Sequence, residues 1–140
     1  MPGWIPMEAA VARAEAQQTL NALGTLHLYT DALTPTGSTT KAEFVAAEAD
    51  FDDYAAITVT AWYDPILAGG AALLLTMPPQ QFQQGASDPV VGNIIRGAYY
   101  LSAGGDILYA TRFTQDVPIE VAHAGVPVEI VDIFATGFSG

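Results

Sequence analysis

Turn-forming residues divide the chain after residue 24 into short segments, and this division restricts the possible folds more than any other sequence feature. The segments are rich in β-branched and aromatic residues, and several alternate between apolar and polar positions as half-buried strands do. The clearest pair is 94–102 and 107–113, joined by a glycine-rich turn at 103–106. We see no β–α–β rhythm. The sequence therefore predicts about seven or eight antiparallel strands in a mainly β domain of β-sandwich or jelly-roll-like type.

The alternation within each segment also predicts which side chains share a face of a sheet. In segment 56–62, Val59 lies on one face and Trp62 on the opposite face. Segment 126–135 alternates around Val128, Ile130 and Phe134 and is predicted to form one long final strand.

Two local signals add detail to the β domain. Thr40 and Glu43 have the spacing of a capping box, which predicts a short helix at 40–46. Pro118 has no N–H to donate to a neighbouring strand, so a short strand at 117–121 is expected at the edge of a sheet.

Residues 1–23 have a different character and predict a helix. Pro6 suits a helix start, the following residues are strong helix formers, and Gly24 suits a helix end. The apolar stripe of this helix is narrow and consists of Ala12, Ala16, Leu20 and Leu23. Such a helix is marginal without a packing partner.

We therefore interpret residues 1–23 as an N-terminal helical arm and residues 24–140 as the β-sandwich domain. The arm packs on the domain or on a neighbouring subunit; the alternative is a partly ordered extension. The residues expected to contact other subunits or a capsid are Trp4, Ile5, Val11, Leu20 and Leu23.

The charge balance excludes several kinds of partner. The chain has 15 acidic and 4 basic residues, for a net charge of −11 with neutral histidine. Four cations cannot form a surface that follows phosphates, so we expect no direct contact with nucleic acid or with an anionic membrane surface. Hydrophobic residues make up 51% and charged residues 14%, which favours a surface partly covered by other subunits over a free monomer.

Targeting signals are also missing from the sequence pattern. The longest apolar run, 66–75, is interrupted by two glycines and is too short to span a bilayer. The N-terminus lacks the pattern of a signal peptide, so we expect synthesis in the cytoplasm without secretion.

The residue types needed for catalysis are sparse. There is no cysteine, which excludes thiolate chemistry and disulfides, and no Gly-x-Ser-x-Gly motif. The two histidines, His27 and His123, are 96 positions apart and suggest no metal motif. We therefore expect a protein that is not an enzyme and that binds no cofactor.

An acidic cluster is the one candidate for a cation site. It consists of Glu48, Asp50, Asp52 and Asp53. Calcium prefers several carboxylates on a loop, but the EF-hand pattern is missing, so a solvated acidic turn is the favoured interpretation.

The aromatic residues offer a second binding hypothesis. A platform for sugars could be formed by Trp62, Tyr63, Tyr99, Tyr100 and Tyr109. Aromatic residues are equally typical of sheet faces and subunit interfaces, so a core or interface role is favoured.

Three segments resemble a family of small structural proteins of tailed bacteriophages: an opening strand and loop at 26–35, a Thr-x-Ala-Glu-Phe turn at 40–44, and an entry into the next strand at 50–57. Asp53 stands where the family pattern has glycine. The aromatic hairpin at 98–113 is similar too, and the resemblance covers about residues 25–137. It implies a β-sandwich or jelly-roll-like fold and a place in the virion.

Within that class we expect a capsid decoration, or cement, protein that binds the major capsid protein on the outer shell. Three-fold positions on an icosahedral shell suggest a homotrimer. The alternatives are a tail or fibre component that binds a receptor, and a ring-forming head-completion or tail protein.

Overall fold

A computed structural model describes residues 3–5, 7–50, 54–68, 72–82, 94–118, 126–135 and 137–139. The helices and strands are β1 (Gly3–Ile5), α1 (Met7–Asn21), β2 (Gly24–Tyr29), α2 (Lys41–Ala46), β3 (Ile57–Val59), β4 (Ile66–Ala68), β5 (Ala72–Thr76), β6 (Gln80–Phe82), β7 (Ile94–Leu101), β8 (Ile107–Pro118), β9 (Val126–Val128), β10 (Val131–Ala135) and β11 (Gly137–Ser139). The mainly β class with an N-terminal helix is confirmed, while the jelly-roll connectivity stays a prediction.

All strand pairs in the described residues are antiparallel. The largest sheet has the order β3-β2-β7-β8, a second has the order β10-β5-β4, and two-stranded pairs are formed by β1 with β11 and β6 with β9. The described residues form eleven strands instead of the predicted seven or eight, because segment 126–135 is divided between two sheets and β1, β4 and β11 were not expected.

The four-stranded sheet buries both of its faces. Leu26 and Leu28 of β2 lie on one face in the main core, which also receives side chains from β3, β5, β6, β7 and β9. Tyr29 of β2 and Tyr99 of β7 lie on the opposite face, where Phe44 of α2 covers them. The two faces of β2 thus contribute to two separate apolar clusters.

Two of the local predictions are confirmed. In α2 the Thr40 hydroxyl accepts from the Glu43 amide at 3.4 Å and the Glu43 carboxylate accepts from the Thr40 amide at 2.8 Å, which is the predicted capping box. The hairpin turn between β7 and β8 places Gly105 at φ 91°, a conformation that glycine adopts without a Cβ penalty.

Pro118 lies at the edge of a sheet, as predicted, but the prediction of a separate strand at 117–121 is wrong. Residues 117 and 118 are the last two of the long strand β8, which lies at the edge of its sheet; residues 119–121 lie outside the described residues. A proline at the end of an edge strand removes no hydrogen bond from a central ladder.

The single final strand at 126–135 is also wrong. Its first part, β9, pairs with β6, whereas its second part, β10, pairs with β5 in a different sheet. The chain changes sheets at 129–130, where Ile130 turns into the main core and its carbonyl accepts from the Met77 amide. The apolar–polar alternation changes phase here, because Ile130 and Val131 are adjacent apolar residues at the point where the chain changes sheets.

The helix α1 is confirmed, but its predicted apolar stripe is not the face that packs on the domain. α1 contacts β5 and β10 and buries Ala10, Ala14 and Asn21, whereas Ala12 and Ala16 are exposed. Alanine at the contact lets the helix backbone approach the sheet closely. Since Ala12 and Ala16 are equally small, size alone does not distinguish the two faces; the face that packs on the domain is the one that also carries the buried Asn21, which bonds to Tyr109.

Gly24 was predicted to end the helix but instead begins β2. The helix ends at Asn21, and the residue with positive φ is Leu23, at 60°. A Cβ at position 24 would overlap the Tyr100 ring and the Leu101 carbonyl, so the glycine is required for close packing against β7.

Trp62 was predicted on the face opposite Val59, and this is wrong as well. β3 ends at Val59, so the two-residue alternation no longer applies at position 62. Both side chains lie in the main core, where the Trp62 ring stacks on Tyr109 with centroids 5.2 Å apart and meets the edge of Tyr100.

The contact of Tyr29 with Gly97 provides a test of the sheet packing. A Cβ at Gly97 would overlap the Tyr29 ring and the Thr111 carbonyl, so Gly97→Ala should lower the free energy of unfolding by about 1–3 kcal/mol. Gly37→Ala is the control, because a Cβ there meets nothing within 4 Å. Urea denaturation followed by tryptophan fluorescence measures both variants; equal stability of the two would contradict the packing described.

Candidate functional site

The most concentrated polar group among the described residues surrounds the Glu48 carboxylate beside β2. Residues 47–49 run along the edge of β2 beyond β3: the Thr30 amide donates to Ala47, the Ala49 amide donates to Leu28, and Glu48 forms a β-bridge with Tyr29. This pairing fixes the backbone of Glu48 against the sheet and directs its side chain toward His27.

Three side chains donate hydrogen bonds to the Glu48 carboxylate. His27 Nδ1 and the Tyr54 hydroxyl lie 2.8 and 2.6 Å from Oε2, and the Tyr99 hydroxyl lies 2.9 Å from Oε1. The His27 ring stacks on the Tyr99 ring with centroids 4.6 Å apart, and its Nε2 is 2.7 Å from the Thr25 hydroxyl. We call these five residues the Glu48 cluster.

The protonation of the cluster follows from burial and these hydrogen bonds. Burial alone would raise the pKa of Glu48, but hydrogen bonds from His27, Tyr54 and Tyr99 outweigh it and leave the pKa below its ordinary value. Burial and the bond to Glu48 both raise the pKa of Tyr54 and of Tyr99. The cluster therefore holds an ionised carboxylate between two neutral phenols.

Thr25, His27 and Glu48 have the order of a nucleophile, a base and an orienting carboxylate. Acyl transfer also requires donors at about 2.7–3.1 Å from a developing oxyanion. The backbone of Thr25 is paired on both sides, with Thr58 of β3 and Leu101 of β7, so the amides around it belong to the sheet. This geometry supports a structural role for the cluster, which joins β2 and β7 to Glu48 and Tyr54.

The predicted acidic cation site is only partly within the described residues. Both Glu48 oxygens already accept hydrogen bonds, Asp50 is exposed, and Asp52 and Asp53 lie outside the described residues. Among the residues that the structure describes, no group of three or more His, Cys, Asp or Glu side chains is placed to hold a metal ion.

A second polar network attaches the end of α1 to the sheets. The Asn21 amide nitrogen lies 3.1 Å from the Tyr109 hydroxyl, and that hydroxyl donates to Asp132 of β10 at 2.6 Å. Gln17 donates to the Asn21 side chain at 2.8 Å, and the Tyr100 hydroxyl donates to the Asn21 carbonyl. Sequence reasoning missed this network, because its partners are up to 88 positions apart and only the fold brings them together.

The aromatic residues are divided between the cores and the surface. Tyr99, Tyr100 and Trp62 are buried, and Tyr109 is partly buried and packed against the main core. Tyr63 is the member of this group that is exposed, at 53%. A flat platform of these five rings for binding sugars is therefore not formed.

A cavity of about 420 Å³ lies between the loop at 35–39 and β8. Among its described lining residues, Tyr109 is the titratable one, and its hydroxyl is already bonded to Asp132. The other lining residues are apolar or uncharged, and include Pro35, Phe44 and Ile107. The cavity thus lacks the acid–base groups of a catalytic site in the residues described.

The predicted interface residues occupy three different environments. Leu20 and Leu23, at the end of α1, are exposed, whereas Val11 is half-buried. Trp4 and Ile5 belong to β1, whose backbone pairs with β11, and their side chains lie outside the described part. The structure thus leaves two of the five predicted side chains fully available to a partner.

Comparison with family models, with characterised proteins and with solved structures gives no significant match. In the described part of the chain, neither helix combines the length and apolar character needed to cross a bilayer.

The Glu48 cluster generates a prediction about stability and pH. At neutral pH, Glu48→Gln should lower the free energy of unfolding by about 2 kcal/mol, because it leaves buried donors without a charged acceptor. The lowered pKa means that this contribution is present above the ordinary value of 4.5 and is lost as the pH falls through the folded pKa. The stability difference between wild type and Glu48→Gln should therefore shrink in acid.

Denaturant unfolding at several pH values measures this difference. Asp50→Asn is the matched control: it removes one negative charge from an exposed neighbour and should change stability by less than about 0.5 kcal/mol. A difference that stays constant between neutral and acidic pH would contradict the role assigned to the Glu48 carboxylate.

Proposed function

We propose that the protein is a structural component of a tailed-phage virion, a decoration protein that binds the major capsid protein on the outer shell and stabilises it. The observation that carries this proposal is the number of large apolar side chains that the fold leaves exposed. They are Leu20, Leu23, Val45, Tyr63, Ile66, Leu67 and Val131. In a chain with so few charged residues, such a surface favours a subunit that is covered in an assembly.

Most of these side chains belong to neighbouring parts of the fold. α1 packs against β5 and β10, and the Leu23 amide donates to the Val59 carbonyl just ahead of the connection to β4. In that connection, the Tyr63 amide donates to Thr76 of β5, and the Gln18 side chain of α1 donates to Asp64. The exposed apolar residues are thus concentrated around α1 and the β10-β5-β4 sheet.

Leu23 gives a further argument for an external contact. Its φ of 60° is a conformation that costs a residue with a Cβ about 1–2 kcal/mol, and its side chain is 58% exposed. Within the chain, little packing offsets this cost. A leucine at this position is better explained by a contact with another molecule than by the stability of the monomer.

A cement protein acts through linkage, since it binds the assembled shell and so raises the stability of that shell. A net charge of −11 keeps the outward surface soluble and is repelled by the packaged DNA. A homotrimer at three-fold positions remains part of the proposal. A receptor-binding tail component has less support, because Tyr99, Tyr100 and Trp62 are buried.

The copy number of the chain in purified phage particles tests the proposed function. A decoration protein should be present in a number that matches the capsid lattice, because each equivalent site of the shell binds one assembly. Quantitative mass spectrometry against the major capsid protein gives this ratio. A few copies per particle would indicate a tail or connector component, and absence from particles would contradict any virion role.

Leu23→Asn separates binding from folding at the end of α1. Asparagine adopts positive φ more readily than leucine, so the variant should be as stable as the wild type or slightly more stable. Removal of the exposed side chain should nevertheless weaken binding to shells that lack the protein. Co-sedimentation with such shells and thermal unfolding measure the two effects; unchanged binding would exclude Leu23 from the interface.

A further inference from the structure

The two faces of the β10-β5-β4 sheet differ in burial along β5, whereas Leu67 of β4, which lies opposite the buried Leu73, is itself 60% exposed. Along β5, Leu73 and Leu75 are buried, while the residues that alternate with them are half-buried. Cross-strand pairing places Ile66 opposite Leu74 and Val131 opposite Thr76, and directly opposed residues project from the same side of a sheet. We call this side the outer sheet face, and its described members are Ile66, Ala72, Leu74, Thr76 and Val131.

The outer sheet face is apolar and accessible, and it carries no formal charge in its described members. Ile66 is 56% exposed and Val131 is 44% exposed. Two exposed carboxylates flank its strands in sequence: Asp64, which accepts from Gln18 of α1 and lies two residues before Ile66, and Glu129, two residues before Val131. The sequence has no lysine or arginine between Lys41 and Arg96 or after Arg112, so the strands of this sheet contribute no such cation.

The size of the face limits what it can bind without help. Strands about 4.8 Å apart, with three residues in β4 and five each in β5 and β10 at about 3.4 Å per residue, give a footprint of about 210 Å². A stable interface between two proteins usually buries about 800 Å² on each partner. The face is therefore too small to hold a dimer alone, but it suffices as one of several contacts that act together on a lattice.

We propose that the outer sheet face docks on a partner protein surface that has an apolar centre flanked by lysine or arginine. This inference rests on the proposed function, within which the partner surface belongs to the assembled shell. A second copy of the chain is a poorer occupant. A two-fold contact of the face with itself would bring Asp64 and Glu129 of both copies together with no lysine or arginine from these strands.

Two matched pairs of variants test the docking surface. Each variant is made in the full-length chain, and its binding to shells that lack this protein is measured. Val131→Lys places a cation in the apolar centre and should weaken shell binding by at least about tenfold. Thr58→Lys is its control, because Thr58 is also an exposed β-branched residue of an edge strand, β3, which belongs to the four-stranded sheet. Thermal unfolding of both variants checks that each remains folded.

The second pair tests the acidic rim. Glu129→Lys should weaken binding and reduce its dependence on salt concentration, since it replaces an attraction to basic groups with a repulsion. Asp31→Lys makes the same change of charge at an exposed loop position outside the sheet and should leave binding near that of the wild type.

The outcomes distinguish this inference from the proposed function. If the wild type binds shells and both Val131→Lys and Glu129→Lys bind equally well, the docking surface is wrong and the proposed function stands. Failure of the wild type to bind shells would overturn the proposed function and the docking surface with it. Analytical ultracentrifugation tests the other possible occupant, a second copy of the chain, by measuring the oligomeric state. If the wild type is an oligomer and Val131→Lys is a monomer, a second copy binds the outer sheet face and the proposed docking partner is wrong.

Discussion

The pairing of β2 with β7 is the interaction on which the rest of the described structure depends. These two central strands bury both faces, so each strand contributes to two apolar clusters at once. Leu26 and Tyr100 lie opposite each other toward the main core, and Tyr29 lies over Gly97 on the other face. A shift of one residue in this register would exchange the two sets of side chains and disrupt both clusters.

Polar networks complete the two cores where apolar side chains alone could not. On one face, Glu48 accepts from His27, Tyr54 and Tyr99 and so joins the sheet to the segment that follows α2. At the other end, Asn21 and Tyr109 attach α1 to β8 and β10. In both networks tyrosine hydroxyls donate to a carboxylate, Glu48 or Asp132, while the tyrosine rings pack with apolar residues.

The exposed surface has the opposite character to these satisfied networks. Leu23 adopts a backbone conformation that is costly for a leucine, and Ile66 and Val131 project from a sheet that no second layer covers fully. Among the described residues nearly every buried polar side chain has a partner, whereas seven large apolar side chains are 44–60% exposed. This contrast is what a subunit built to be covered in a larger assembly requires.

The sequence by itself determined the features that depend on neighbouring residues. The N-terminal helix, the capping box at Thr40, the hairpin turn and the edge position of Pro118 were predictable, because each follows from propensity, spacing or backbone chemistry within a few positions. The mainly β class followed for the same reason, since alternation and turns are local.

Tertiary structure decided everything that depends on distant partners. It turned Ala10 and Ala14 toward the sheet in place of the predicted stripe, moved Trp62 into the core and divided 126–135 between two sheets. It also brought Glu48 to His27, which lies 21 positions earlier in the chain. Each of these outcomes is set by close packing and hydrogen bonding between segments far apart in sequence, and local periodicity contains no information about either.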